Sequence, residues 1–302
     1  KKNDLAQCIL SEYSLPAMKL FDFMRPAKYF FAISTTLTIL SIALTIYPGP
    51  RLSIEFTGGT RMEFRVPATV TVKAVSEALK TYSTETNGVV NKAQNGNIII
   101  RTKNLEDAEH TALVTHLVST LGPIDEVQYN TIGPTVGTTL KRRAVIALAV
   151  ASLGIILYLA WAFRSMPRKY GAWKFGVVAV FTLLHDVMVT VGIFVILSYF
   201  TAFEVDTLFI TALLTILGYS VNDTIIIFDR IRDNVFVQER REQFRHLANA
   251  AVNQSWKRSC YTSGSTLIML LSLFILGSTS IQWFVLTLIV GTLYARLDFL
   301  AA

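Results

Sequence analysis

Two carboxylates stand in stretches whose other residues suit hydrocarbon. In "GYSVNDTIIIFDRIRDN" (218–234), Asn222 and Asp223 interrupt an apolar run that reads as a membrane-spanning helix. In "HDVMVTVGIF" the pair His185 and Asp186 does the same in an earlier run. A charge inside a span costs about 2.5–3.5 kcal/mol on insertion scales, so such groups face a bundle interior or a wet cavity and mark ion pathways by default. The chemistry on offer is reversible proton binding coupled to transport.

Asp223 lies about 24 Å along its span at 1.5 Å per residue if that span starts near Thr207 on the outer side. This is the inner third of the hydrocarbon. Tyr219, four residues earlier, and Arg230, seven later, share its helical face. Burial and a nearby cation act on its proton in opposite senses, as a reversible carrier requires. The competing reading is a hydrogen-bonding group that fixes helix packing. Asp186 lies about 16 Å in from Phe175, near the midplane. Thr182, Asp186 and Thr190 fall at i, i+4 and i+8, a polar stripe on an apolar helix. His185 beside them is the side chain whose unperturbed titration lies nearest neutrality. The stripe serves equally well as packing against a neighbouring helix.

Arg258 opens a later span and is followed by Ser259, Thr262, Ser263, Ser265 and Thr266. Small hydroxylated residues at this density let helices approach closely. Arg258 reads as an inner-boundary charge, with pairing to Asp223 as the alternative. No nucleophile elbow, phosphate loop or metal-ligand spacing occurs; Gly58-Gly59 and Gly133-Pro134 read as turns. Neither an enzyme nor a cofactor or metal site is expected. Energy would come from an ion gradient or a partner's ATPase.

The elements that hold these groups follow from composition. Hydrophobic residues make up 52% of the chain and charged residues 16%, against about 25% charged in soluble domains. The apolar residues gather in six blocks, 29–47, 144–163, 175–199, 207–228, 260–276 and 281–294. Four reach the length of roughly 20 residues that a span needs, and the last two do so with their flanks. The expected fold is therefore a membrane α-helical bundle of six transmembrane helices. The first block is too long for a signal-peptide core and lacks a cleavage site after it, so it reads as a retained anchor. The chain starts with Lys rather than Met, as a fragment or a trimmed product does. Cys8 and Cys260 are too far apart in kind to pair.

Lys and Arg number five before Tyr29, four in 164–174 and seven in 230–258, whereas 200–205 and 277–280 have none. Basic short loops stay inside. Both termini are then cytoplasmic, and the positive charge needs no nucleic-acid partner. Lys141, Arg142 and Arg143 break the rule after a long translocated segment, where the rule is weak. The expected organisation is a cytoplasmic segment 1–28, a first span 29–48, an outer domain 49–140, and a five-helix region 141–302 with a cytoplasmic amphipathic loop at 229–257. In that loop Val237, Phe244, Leu247, Ala248 and Ala251 share a face opposite Arg240, Arg241 and Glu242, so a helix lying on the membrane surface or against a partner is expected.

Within the outer domain "TRMEFRV" alternates as a strand, and "TVKAVSEALKTY" has helical spacing. "QNGN" separates two short apolar runs as a hairpin turn would. "NLEDAEHTALVTHLVSTL" starts on an Asn cap, and "IDEVQYNTIG" closes as a strand. The order β-α-β-β-α-β predicts a ferredoxin-like α+β domain on the periplasmic side, between the first and second helices.

These stretches together resemble one family. "FDFMRP", "IEFTGGT", "IGPTVG", "HDVMVTVGIF", "LTILGYSVNDTIIIFDRIRDN" and "SCYTSGSTL" follow in the order found in the SecF family, the smaller subunits of bacterial SecDF protein-export complexes in the resistance–nodulation–division superfamily. The match covers nearly the whole chain. The resemblance implies a subunit of the bacterial inner membrane that pairs with SecD. It further implies contact with the SecYEG channel and YajC/YidC, with the translocating polypeptide and with membrane lipid. It implies use of the proton motive force in late steps of export, with Asp223 as the acid of the fourth-span motif and Arg258 as the fifth-span base. His185, Asp186, Asn222, Tyr219, Thr262 and Ser263 are the further site candidates. Ser53 and Glu55 stand where the family more often has Gly and Asp. Arg296 and Asp298 stand where it continues with small and apolar residues, so nothing functional is expected beyond Gly291. The rival readings are a small-molecule or lipid exporter of the same superfamily and a translocase assembly factor that transduces nothing.

Overall fold

The computed structural model describes residues 21–67, 69–82, 88–93, 96–164, 172–238 and 243–299. Residues 1–20 with Cys8, the basic stretch 165–171, Gln94 and Asn95 of the hairpin turn, and Arg240, Arg241 and Glu242 lie outside them.

After α1 (Ala27–Ile46) and a single helical turn α2 (Ile54–Thr57), the chain builds β1 (Gly59–Arg65), α3 (Val72–Tyr82), β2 (Val89–Lys92), β3 (Ile98–Thr102), α4 (Asp107–Leu121) and β4 (Asp125–Ile132). The order expected for the domain is the order found. The sheet runs β2-β3-β1-β4, with β1 antiparallel to β3 and β4 and β2 antiparallel to β3. Alternate residues Met62 and Phe64 of β1 and Ile98 and Ile100 of β3 point to one face, where Val75, Leu79, Leu113 and Leu117 of the two helices close the core. One boundary differs in cause. The cap of α4 is Glu106, whose side chain and that of Glu109 satisfy each other's backbone N–H groups, a capping box. Asn104 instead accepts a hydrogen bond from Thr131 Oγ1 of β4 at 2.6 Å.

The two glycine-bearing stretches at the domain's edges meet. Gly59 has φ +119° and a Cβ there would stand 2.6 Å from Thr102 O. A Cβ on Gly137 would stand 2.8 Å from Gly58 N. Backbone approaches this close leave no room for a side chain, which ties "FTGG" to the start of the next helix.

That helix, α5 (Pro134–Ala162), runs unbroken from the last strand into the bundle, and Lys141, Arg142 and Arg143 lie exposed on it. Then follow α6 (Ala172–Phe200), α7 (Thr207–Gln238), α8 (Phe244–Leu276) and α9 (Gln282–Phe299). Five described helices, α1 and α5 to α8, are long and apolar enough to cross a membrane. α7 packs on α6, α8, α9 and α5, while α1 packs on α6. Phe194, Phe203, Phe209, Ile216 and Val285 fill the upper core.

The stretch expected as an amphipathic loop is helical at both ends: α7 continues to Gln238 and α8 starts at Phe244 and runs on into its span. Leu247, Ala248 and Ala251 do share a face, but it is buried against Leu159 of α5, its C-capping residue Phe163, Phe175 of α6 and Ile231 and Val235 of α7. Protein covers these three residues, while Phe244 of the same expected face stays exposed. The preceding "FDFMRP" stretch docks here too. Phe21 N donates to Asn253 Oδ1 at 3.1 Å and Phe23 N to Asn249 Oδ1 at 3.0 Å, one helical turn apart on α8.

Candidate functional site

A polar cluster lies inside the apolar bundle, assembled from five helices. α7 contributes Ser220, Asp223 and Thr224, all buried, because residues three and four apart share a helix face. α6 contributes Asp186, which is 2% exposed, and its neighbour His185. Both carboxylates are therefore shut away from solvent within this chain, and each needs partners to be tolerable.

Asp186 has them. Ser220 Oγ donates to its Oδ2 at 2.6 Å, and His185 Nδ1 lies 3.3 Å from its Oδ1. On the other side of the imidazole, Nε2 lies 2.6 Å from Ser34 Oγ of α1 and 3.1 Å from Tyr294 OH of α9. A run of groups with exchangeable protons thus joins α1, α6, α7 and α9. Thr190, which donates to the Asp186 carbonyl at 2.8 Å, continues the buried stripe, whereas Thr182 bonds its own helix at Val178 O.

Asp223 pairs differently from the sequence expectation. Arg296 of α9 places Nη1 2.7 Å from Asp223 Oδ2, with the side chains 18% and 6% exposed. The second oxygen, Oδ1, is buried with no hydrogen-bond partner among the described residues. Arg258 does not take part: it is exposed, and its carbonyl accepts from Thr262 Oγ1 at 2.5 Å. Arg230 turns to Asp233 at 3.8 Å. Asn222 is exposed, Tyr219 half-buried and Thr262 exposed, so the buried supports are others. Ser255, Ser259 and Ser263 of α8 fall at i, i+4 and i+8 with buried hydroxyls; Ser259 faces the Asp223 carboxyl, and those of Ser255 and Ser263 have no partner among the described residues. They line the bundle interior with unused hydrogen-bonding capacity, which buried groups rarely leave idle.

Sequence reasoning missed Arg296, Tyr294, Ser220 and Ser34. Ser220 was findable, three residues before Asp223. Arg296 had a signal as well: it is an isolated cation in an apolar run, and a buried carboxylate elsewhere in the bundle needs a counter-ion. No group of three His, Cys, Asp or Glu that could hold a metal occurs among the described residues. The arrangement places a carboxylate, a group able to bind and release a proton, against a cation of the facing helix.

Comparison with known proteins now bears on this arrangement. Residues 113–297 match the family model described as protein export membrane protein SecD/SecF, C-terminal. The chain is 35% identical over 286 residues to the protein translocase subunit SecF of Thermobaculum terrenum, covering 90% of this chain and 88% of that one. It is 33% identical to the protein translocase subunit SecDF of Bacillus subtilis, over 90% of this chain and 36% of that longer one. The crystal structure of SecDF from Thermus thermophilus superposes with a TM-score of 0.79 at 29% identity, covering 98% of this chain and 40% of that one.

Proposed function

The chain belongs to the SecD/SecF family of protein-export membrane proteins, as an accessory protein-translocase subunit, and from that premise we propose that it works with a SecD-type partner to spend the proton motive force on late steps of export. The buried Asp223–Arg296 pair carries this reading. Protonation of Asp223 removes the anion that holds Arg296. The contact between α7 and α9 loosens, and the bundle rocks against its partner, the way transporters commonly use a site at mid-membrane. The Asp186–Ser220 and His185 contacts provide a second exchangeable station beside it.

α9 is the sixth span, its 18 residues reaching about 27 Å along the helix axis. The sheet domain is ferredoxin-like, a reading its β2-β3-β1-β4 order supports. It stands on the periplasmic side of the bacterial inner membrane, near the emerging polypeptide, with both termini cytoplasmic. Fusion of the two halves in the Bacillus subtilis relative supports the SecD-type partner. Further contacts are the SecYEG channel, YajC/YidC and lipid. The role is transport, not catalysis.

Removal of the chain from its host tests this. Secreted precursors should accumulate, and affinity capture of the restored chain should recover the SecD-type subunit. Hypersensitivity to small apolar toxins with intact secretion would instead favour an exporter. Full restoration by Asp223→Asn would favour an assembly role without transduction.

A further inference from the structure

The helix that carries Asp223 is tied at its outer end to the sheet domain. The connection between α6 and α7, residues 201–206, runs alongside the strand-like segment before α2. Ser53 N donates to Val205 O at 2.9 Å and Val205 N to Arg51 O at 2.8 Å, a parallel bridge between Leu52 and Val205. From β3, Arg101 Nη1 reaches Glu204 Oε1 at 2.6 Å and its Nη2 reaches Leu52 O at 3.1 Å. From α2, the Glu55 carboxylate accepts from both Thr207 N and Thr207 Oγ1 at the first residue of α7. An anion at a helix N-terminus meets its unpaired N–H groups and the positive end of its dipole. Arg51 completes the contact from the other side, its guanidinium 4.8 Å from the centre of the Tyr199 ring at the end of α6.

We propose that Glu55, Arg101 and Glu204 are positioning residues that form a joint through which movement of the Asp223-bearing helix is delivered to the outer sheet domain. This rests on the proton-coupled reading above and extends it. Asp223 lies about 24 Å along α7 from Thr207, so a rigid helix moved at its inner part moves the joint as well. The joint's three contacts come from β3, from α2 and from the bridge segment, which gives a firm hold on the domain. Both charges of its central pair are largely withdrawn from solvent, with side chains 20% and 19% exposed, so the pair is less weakened by salt than a surface bridge.

The charged groups around the joint act on one another. Burial pushes the Glu204 carboxyl up, although Arg101, Arg61 and Arg51 pull it down. Asp206 and Glu55 are the other acids facing this region, with Arg61 also acting on Asp206. A proton on Glu204 would remove the anion that Arg101 holds at 2.6 Å.

The test uses the reconstituted complex with its partner. Spin labels go on Cys260, which is exposed, and on Val118→Cys in α4, with Cys8→Ser as background. The label-to-label distance is followed with the proton gradient imposed and collapsed, beside export. The natural chain should change distance with the gradient. Arg101→Glu and Glu204→Arg should each abolish that change and lower gradient-driven export about tenfold, the cost of one charge-assisted contact. The double exchange should restore most of both. A natural chain with no distance change, single variants that keep it, or a double exchange no better than the singles overturns the joint. Asp223→Asn in the same assay separates the two ideas: if it keeps the gradient response, the proton-coupled reading fails, whatever the joint does.

Discussion

Neutralising Arg296 is the perturbation that most sharply probes the buried site. At 2.7 Å, the Coulomb attraction between unit charges is about 6 kcal/mol at an effective dielectric of about 20. Desolvation of both groups cancels most of that. Removing one partner is a different matter, because the buried Asp223 would then lose its counter-ion and keep only the Ser259 hydroxyl beside it. Arg296→Gln should therefore cost about 3 kcal/mol of bundle stability. In an Asp223→Asn background the same change removes no counter-ion and should cost only about 1 kcal/mol. The coupling energy between the two sites is then about 2 kcal/mol. Unfolding equilibria of the four proteins in bicelles, at one pH, measure it. Additivity within about 0.5 kcal/mol would refute the claim that these side chains sustain each other.

Two further outcomes follow from the same geometry. Asp206 caps α7 by accepting from Phe209 N at 2.7 Å, while burial and Glu55 push its carboxyl up. A group raised on folding contributes most stability below its unfolded pKa and loses it as pH rises through the folded one. Asp206→Asn keeps a cap of equal quality, so it should flatten that fall and be neutral or slightly stabilising at pH 7, whereas Asp206→Ala should lose about 1 kcal/mol; thermal melts across acid to neutral pH decide. Gly192 packs so closely on α1 that a Cβ would stand 2.3 Å from Ser41 Oγ. Gly192→Ala should then cost about 1–3 kcal/mol by overpacking and raise proteolysis at α1, as read by limited digestion in detergent.

How far the sequence revealed these features depended on whether the signal was local. β1, the hairpin and both domain helices follow from alternation and turn residues within each segment. Asp223 and Asp186 announce themselves because each stands alone in an apolar run. Pairing is another kind of information. Arg258 and Arg296 are both basic residues on helices adjoining α7, and the way each helix is turned leaves the first exposed and brings the second to Asp223. No spacing within one helix encodes that rotation. The junction of α7 and α8 differs from expectation for a related reason. A face built from Leu247, Ala248 and Ala251 suits lipid and protein alike, and only the positions of Leu159, Phe175 and Ile231 decide between them. Asn104 was the favoured cap by residue type, yet Glu106 with Glu109 satisfies two backbone donors where one Asn would satisfy one.

Coupling of export to protons at Asp223 is the central claim. The direct measurement is export by the reconstituted complex carrying Asp223→Asn, at matched abundance and partner recovery, with the proton gradient intact and then collapsed. The account predicts slow export that no longer responds to the gradient. Export at the natural rate, falling as usual when the gradient is collapsed, would contradict it and leave Asp223 a packing residue.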